Sequence, residues 1–98
     1  MKEIWKDIPN YEGLYKISNK GLVKSIIERG GKKPREMKMQ KRNGYLRVPL
    51  TDINGVRSHK SIHRLVLESF IGVNNELEVN HKNGIKSDNR LSNLEWCT

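Results

Sequence analysis

The chain has 98 residues, 35% of them apolar, and a mean hydropathy of −0.76, which allows one compact domain with a modest core or two very small modules. Aromatic residues spread along the chain argue against disorder, no apolar run approaches the ~20 residues of a membrane span, and the lone Cys97 excludes an internal disulfide and a cysteine-based zinc site. The net charge of +8 is concentrated, with ten Lys/Arg against two acids in residues 32–64 and three against five in 65–98, so the basic middle points to a polyanion such as nucleic acid or to a solvated lysine-rich face.

The first ten residues, MKEIWKDIPN, lack an apolar signal region, so no secretory leader is expected and a cytosolic protein is. Trp5, Ile8 and Tyr11 stand three apart, but Pro9 blocks a helix, and an irregular apolar clasp is expected there. Period-two character follows in LYKISNKGLVKSII, broken by Asn19-Lys20-Gly21, which predicts a short hairpin turning at 19–21.

Residues 28–36, ERGGKKPRE, read as a loop or linker. Alternation then places Tyr45, Arg47 and Pro49 on one side of a strand and Leu46, Val48 and Leu50 on the other, and Pro49 predicts an edge strand. With turns at Asn43-Gly44 and Asn54-Gly55, residues 37–42, 45–51 and 56–61 are expected to form a basic antiparallel meander.

The period changes at SIHRLVLESFIG. Ile62, Leu65, Val66 and Phe70 predict a helix over 62–71, with Ser61 as N-cap and Gly72 at its end. LEVNH, 77–81, reads as a short strand, Asn83-Gly84 as a turn, and 85–92 as polar loop or a second short strand. Asn93 is expected to cap a helix opening on NLEWCT and cut short at Thr98.

VNHKNGIKSDNRLSNLEWCT resembles the signature of the HNH nucleases, in the subgroup found among phage and intron homing endonucleases. IHRLVLESFIG is similar to the helix that precedes that signature. EIWKDIPNYEGLYKISNKGLVKS is similar to the short module often placed ahead of such domains. The three stretches occur in the expected order over about two thirds of the chain. The implied architecture is α+β: small antiparallel β-hairpins with a helix, then a ββα-metal motif whose final helix is truncated. The implied division is an N-terminal module at 1–31 and, at 32–98, a basic β-ribbon with the HNH motif.

The resemblance implies a metal-dependent DNA endonuclease. Cutting a phosphodiester needs a base for water and a cation for the developing charge. His81 is the implied base, since imidazole titrates near neutral pH. Asn80 is the implied metal ligand, although an aspartate would hold a hard cation more strongly than this neutral amide. Asn93 is expected to tie the loop to the strand and so orient His81, while Asp88 and Asn89 brace the loop. Asn83 stands where the family commonly has Asp. Leu94 and Trp96 read as core. His63 reads as a structural histidine, with phosphate contact or site support as the alternative. His59 is uninformative. The family's second metal ligand is expected on the last helix, beyond residue 98.

The cofactor implied is Mg²⁺ or another divalent cation such as Mn²⁺, and the partner is double-stranded DNA. No membrane and no small-molecule cofactor are expected, and no protein partner is indicated. Phosphate contacts are expected from Lys32, Lys33, Arg35, Lys38, Lys41, Arg42, Arg47, Arg57 and Arg64. The place of action is the cytoplasm of a bacterium hosting a phage or mobile element. The alternatives are a DNA-binding derivative that does not cut, favoured by the short last helix, and an inhibitor-like protein-interaction module.

Overall fold

A computed structural model describes residues 2–26 and 35–98. Among the described residues, nine short strands form three antiparallel sheets beside one α-helix, the α+β architecture the sequence implies. The first sheet has the order β1-β2-β3-β4, from Trp5–Asp7, Tyr15–Ser18, Val23–Ser25 and Arg35–Glu36. Two local expectations give way here. The apolar clasp contains β1, because Trp5 to Asp7 pair with Ser18 to Lys16. The expected loop contains β4, where Glu36 and Arg35 pair with Lys24 and Ser25. Backbone pairing along an open strand edge recruited both segments, and side-chain pattern carries little trace of it. The rest of the expected loop, with Lys32 and Lys33, lies outside the described residues.

The second sheet, β5-β6-β7, is the expected basic meander, with strands Gln40–Arg42, Tyr45–Thr51 and Arg57–Ser61. Asn43 and Gly44 both have positive φ, 53° and 85°, the conformation a tight hairpin turn requires. Contrary to the edge-strand expectation, the Pro49 strand is central. The register explains why proline is tolerated there. β5 covers β6 only from Tyr45 to Arg47, so at Pro49 the missing N–H faces a side with no ladder to complete.

Helix α1 spans Ile62–Phe70 and ends where Gly72, at φ 139°, closes back onto the Leu67 carbonyl. Ser61 occupies the N-cap position without a side-chain hydrogen bond. The helix buries Ile62, Leu65, Val66 and Leu67 in one core with Ile8, just past β1, Ile17 and Val23 of the first sheet, and Val48 and Leu50 of the second. One core thus serves both ends of the chain. Tyr15 Oη accepts from the Thr51 N–H at 3.1 Å and reinforces that junction.

The chain's end departs most from expectation. Leu91–Asn93 form a single 3₁₀ turn, and Leu94–Cys97 form β9, a strand paired with β8 (Glu78–His81), rather than the start of a helix. Leu94 is buried, Glu95 exposed and Trp96 half-buried, an alternation that serves a strand. Four residues were too few to tell it from a first helical turn.

Candidate active site and basic cleft

His81 closes β8 and faces inward, at 9% exposure. Its Nε2 lies 2.9 Å from Asn89 Oδ1, a buried contact between strand and loop. With Nε2–H donating to the amide oxygen, the imidazole lone pair sits on Nδ1. Two rings fence the imidazole: His63 at 5.3 Å between centroids and 67°, and Tyr45 at 6.1 Å and 46°. Tyr45 and His63 also touch, at 5.2 Å, and the Lys86 ammonium lies over the Tyr45 ring at 4.8 Å.

The loop that carries Asn89 is bound from several sides. Asn93 Oδ1 accepts from the Asn83 N–H, and Asn93 Nδ2 donates to Asn83 Oδ1 and to the Asp88 carbonyl. The Lys82 N–H donates to the Asn93 carbonyl at 2.8 Å. Asp88 takes a two-pronged bond from Arg90, with both N···O distances 2.8 Å, and a third from Asn83 Nδ2. The Arg90 guanidinium, aided by Asn83, holds the Asp88 carboxyl well below the usual carboxylate range, and Arg90 shifts upward in return. Asn83 fills the turn position with an amide that both donates and accepts, and its Oδ1 also takes the Ile85 N–H.

The N-terminal hairpin reaches this loop. Asn19 bonds Ile4 and Lys2 with its side chain, and its carbonyl accepts from the Leu91 N–H at 2.8 Å. Gly21, at φ 85°, lies so close to Asn89 that an added Cβ would stand 2.9 Å from both its Cβ and its carbonyl oxygen. Asn89 Nδ2 is buried without a partner.

Asn80 points to the opposite side of β8 and is exposed. Its Nδ2 donates to Glu95 Oε1 across the ladder at 2.8 Å, which leaves Oδ1 for other partners. An amide oxygen and a carboxylate on adjacent strands are oxygen donors of the kind a hard cation takes, with water and substrate oxygens completing its shell. The donor set therefore fits a divalent cation, though with only two protein side chains. Among the described residues no group of three or more His, Cys, Asp or Glu could hold a metal.

The remaining cations divide. Register places Arg42, Arg47 and Arg57 on the outer face of the second sheet, opposite Val48 and Leu50, whereas Lys41 points to the other face. Arg35, on β4 of the first sheet, and Lys38 are exposed. Arg64 is committed inside the protein: its guanidinium donates to the Leu77 and Asn74 carbonyls, pairs with Glu68 at 3.8 Å and stacks on Trp96. A cleft of about 540 Å³ is lined by Arg42, Tyr45, Arg47, His59, His63, Arg64 and Glu78, and two of these, Tyr45 and His63, also flank the His81 ring. Burial, then the nearby His81 and Arg64, pushes the His63 pKa down to about 4.

Sequence reasoning missed Tyr45, His59, Glu95 and Gly21. The alternation that put Tyr45 with Arg47 was a usable signal for the first. The Glu95 contact depends on β9 being a strand, and Gly21 had been read only as a turn residue.

Comparison with known proteins bears on this geometry. Residues 3–51 match the NUMOD4 motif and residues 60–98 match the HNH endonuclease family. The chain is 41% identical over 96 residues to the DNA endonuclease I-HmuI of Bacillus phage SP01, covering 96% of this chain and 52% of that protein. An uncharacterized HNH endonuclease of Acanthamoeba polyphaga mimivirus is 42% identical over 101 residues, covering 98% of this chain and 24% of that protein. A solved structure of the HNH homing endonuclease I-HmuI, described for DNA binding and cleavage, superposes with a TM-score of 0.81 at 40% identity. It covers 97% of this chain and 52% of that one. The chain thus spans about half the length of I-HmuI and about a quarter of the mimivirus protein.

Proposed function

The chain belongs to the HNH endonucleases that carry an N-terminal NUMOD4 motif, and from that premise we propose that it is a homing-type DNA endonuclease in which His81 is the general base and Asn80 a ligand to a divalent cation. The observation that carries this reading is the His81–Asn89 contact. It leaves Nδ1 as the proton acceptor and, with the Tyr45 and His63 rings, holds the imidazole in one orientation.

His81 takes the proton from water, and Asn89 holds the opposite ring nitrogen so that the resulting imidazolium keeps a hydrogen-bonded partner. Asn93 and Asp88 act at one remove, fixing the loop that presents Asn89. Glu95 sets the rotation of the Asn80 amide, directing Oδ1 outward. Asn80, with Glu95 beside it, would hold a cation such as Mg²⁺ or Mn²⁺, which would supply positive charge for the phosphate and the leaving oxygen. Arg42 and Arg47, sharing one sheet face, meet the DNA backbone and release its counterions, while Arg57 stands on the same face farther along the hairpin. Acting on DNA like the Bacillus phage endonuclease it resembles, the protein would work in the cytoplasm of a bacterial host. Among the described residues no helix is long and apolar enough to cross a membrane.

The test is nicking of supercoiled plasmid with Mg²⁺ or Mn²⁺. Nicking should vanish in His81→Ala, and nicking that persists in that variant sinks the assignment. A second reading, DNA binding without cutting, is favoured by the neutral amide at position 80 and, among the described residues, by the lack of a metal-holding group of three or more His, Cys, Asp or Glu. It predicts salt-sensitive binding and no nicking by the wild type.

A further inference from the structure

Arg47 is an unusual cation in this chain. It is half-buried on β6, its Nε is shielded from water without a hydrogen-bond partner, and no carboxylate lies within ion-pair distance among the described residues. A guanidinium partly removed from water without an acceptor is costly, and its planar fork matches the oxygens of a phosphate. It opens on the cleft of about 540 Å³ beside His81. Exposed Arg42 lies on the same sheet face, where it pairs with Tyr45, and among the described residues Glu78 is the one acid on the cleft's wall.

We infer that this cleft seats a DNA backbone phosphate adjacent to the one facing His81, with Arg47 as its anchor and Arg42 as a second cation. The inference rests on the reading that His81 faces the phosphate to be cut, and it adds where the neighbouring strand lies. Two residues of extended strand separate Arg47 from Tyr45, a step of ~7 Å, and the Tyr45 ring touches His81 at 6.1 Å. The seat is therefore one short step from the base. His63, kept neutral at pH 7 chiefly by burial, adds no charge to the cleft, and of the three arginines that line it Arg64 is already engaged with the Leu77 and Asn74 carbonyls and Glu68, so attraction for the anion falls chiefly to Arg42 and Arg47. A strand held there enters the site in one register, and the phosphate next in line is presented to His81.

The probe is a 20-bp duplex without divalent metal, so that binding is read apart from cutting. Arg47→Gln should weaken binding ~10-fold and lower the salt dependence by about one phosphate contact. Arg57→Gln, on the same face but outside the cleft, should lose ~3-fold or less. Arg47→Lys, which keeps the charge but not the fork, should fall between them. The Arg47 Nε–H resonance should shift on addition of duplex, a response that a misfolded variant cannot imitate. Equal losses from Arg47→Gln and Arg57→Gln, or an unmoved Arg47 resonance, overturn the seat. Plasmid nicking separates the two readings. If nicking depends on His81 while Arg47→Gln binds like wild type, the nuclease stands and the seat falls. If binding is lost selectively at Arg47 but nothing is nicked, the seat stands and the catalytic reading falls. A wild type that binds no duplex ends both.

Discussion

His81 Nε2 and Asn89 Oδ1 stand 2.9 Å apart, both side chains buried, and this contact joins the end of a strand to a loop that has little regular structure of its own. Asn89→Ala removes the acceptor and leaves a buried imidazole N–H without a partner, a loss of ~1–3 kcal/mol. Thermal unfolding should move down accordingly, and plasmid nicking should fall ~10–100-fold, in the range for partners that orient a reacting group. Unchanged nicking by a folded Asn89→Ala would show that the ring is held by its aromatic neighbours alone.

Gly21 and Gly13 form a matched pair. Both have positive φ, 85° and 77°, but an added Cβ meets Asn89 at 2.9 Å in the first case and nothing within 4 Å in the second. Gly13→Ala should cost ~1–2 kcal/mol from backbone strain alone. Gly21→Ala should cost more and also lower nicking, because Asn89 must shift and His81 with it. Equal behaviour of the two variants in melting and in nicking would disprove the mechanical link.

His63 gives a pH signature. Its folded pKa is lowered from the usual 6.5 to about 4, chiefly by burial. The unfolded chain therefore takes up a proton at this position before the folded chain does. The stability tied to neutral His63 is complete above about pH 6.5 and is lost as pH falls toward 4. Proton NMR of the His63 ring should show a midpoint near 4, and the fall in melting temperature over that window should shrink in His63→Phe. A midpoint near 6.5 would contradict the burial argument.

At Asn80 the expected gain comes from charge. Asn80→Asp gives a hard cation a charged oxygen, and half-saturation by Mn²⁺, followed by paramagnetic broadening of β8 resonances, should occur at lower concentration. The same change places two carboxylates across the ladder, since Glu95 loses the amide donor it now accepts from. Without metal the variant should melt lower than wild type, and with Mn²⁺ the gap should close.

Much of the fold was legible because its signals were local. The Asn43-Gly44 turn, the alternation of Tyr45 to Leu50 and the spacing of Ile62, Leu65 and Val66 each lie within a few residues. The misreadings needed information from elsewhere in the chain. β1 and β4 exist because neighbouring strands offer unpaired backbone. Pro49 sits in a central strand because β5 stops short of it. Leu94–Cys97 became a strand because β8 lies beside it, while the same four residues alone would serve a helical turn. At the site, the composition of the polar loop was readable but its wiring was not. Nothing in the order of Asp88, Asn89, Arg90 and Asn93 says which of them reaches the imidazole, and the contact from Gly21 spans most of the chain.

The stretch matching the NUMOD4 motif ends at residue 51 and the stretch matching the HNH family begins at residue 60. Thr51 closes β6, Lys60 lies within β7, and all of β7 is paired with Arg47 to Thr51 of β6. The boundary between the two matched stretches thus falls within a hairpin, with the core shared across it. Exchange of either piece between relatives would have to carry a matching half of that hairpin, so such grafts should succeed only where donor and recipient already agree on the pairing.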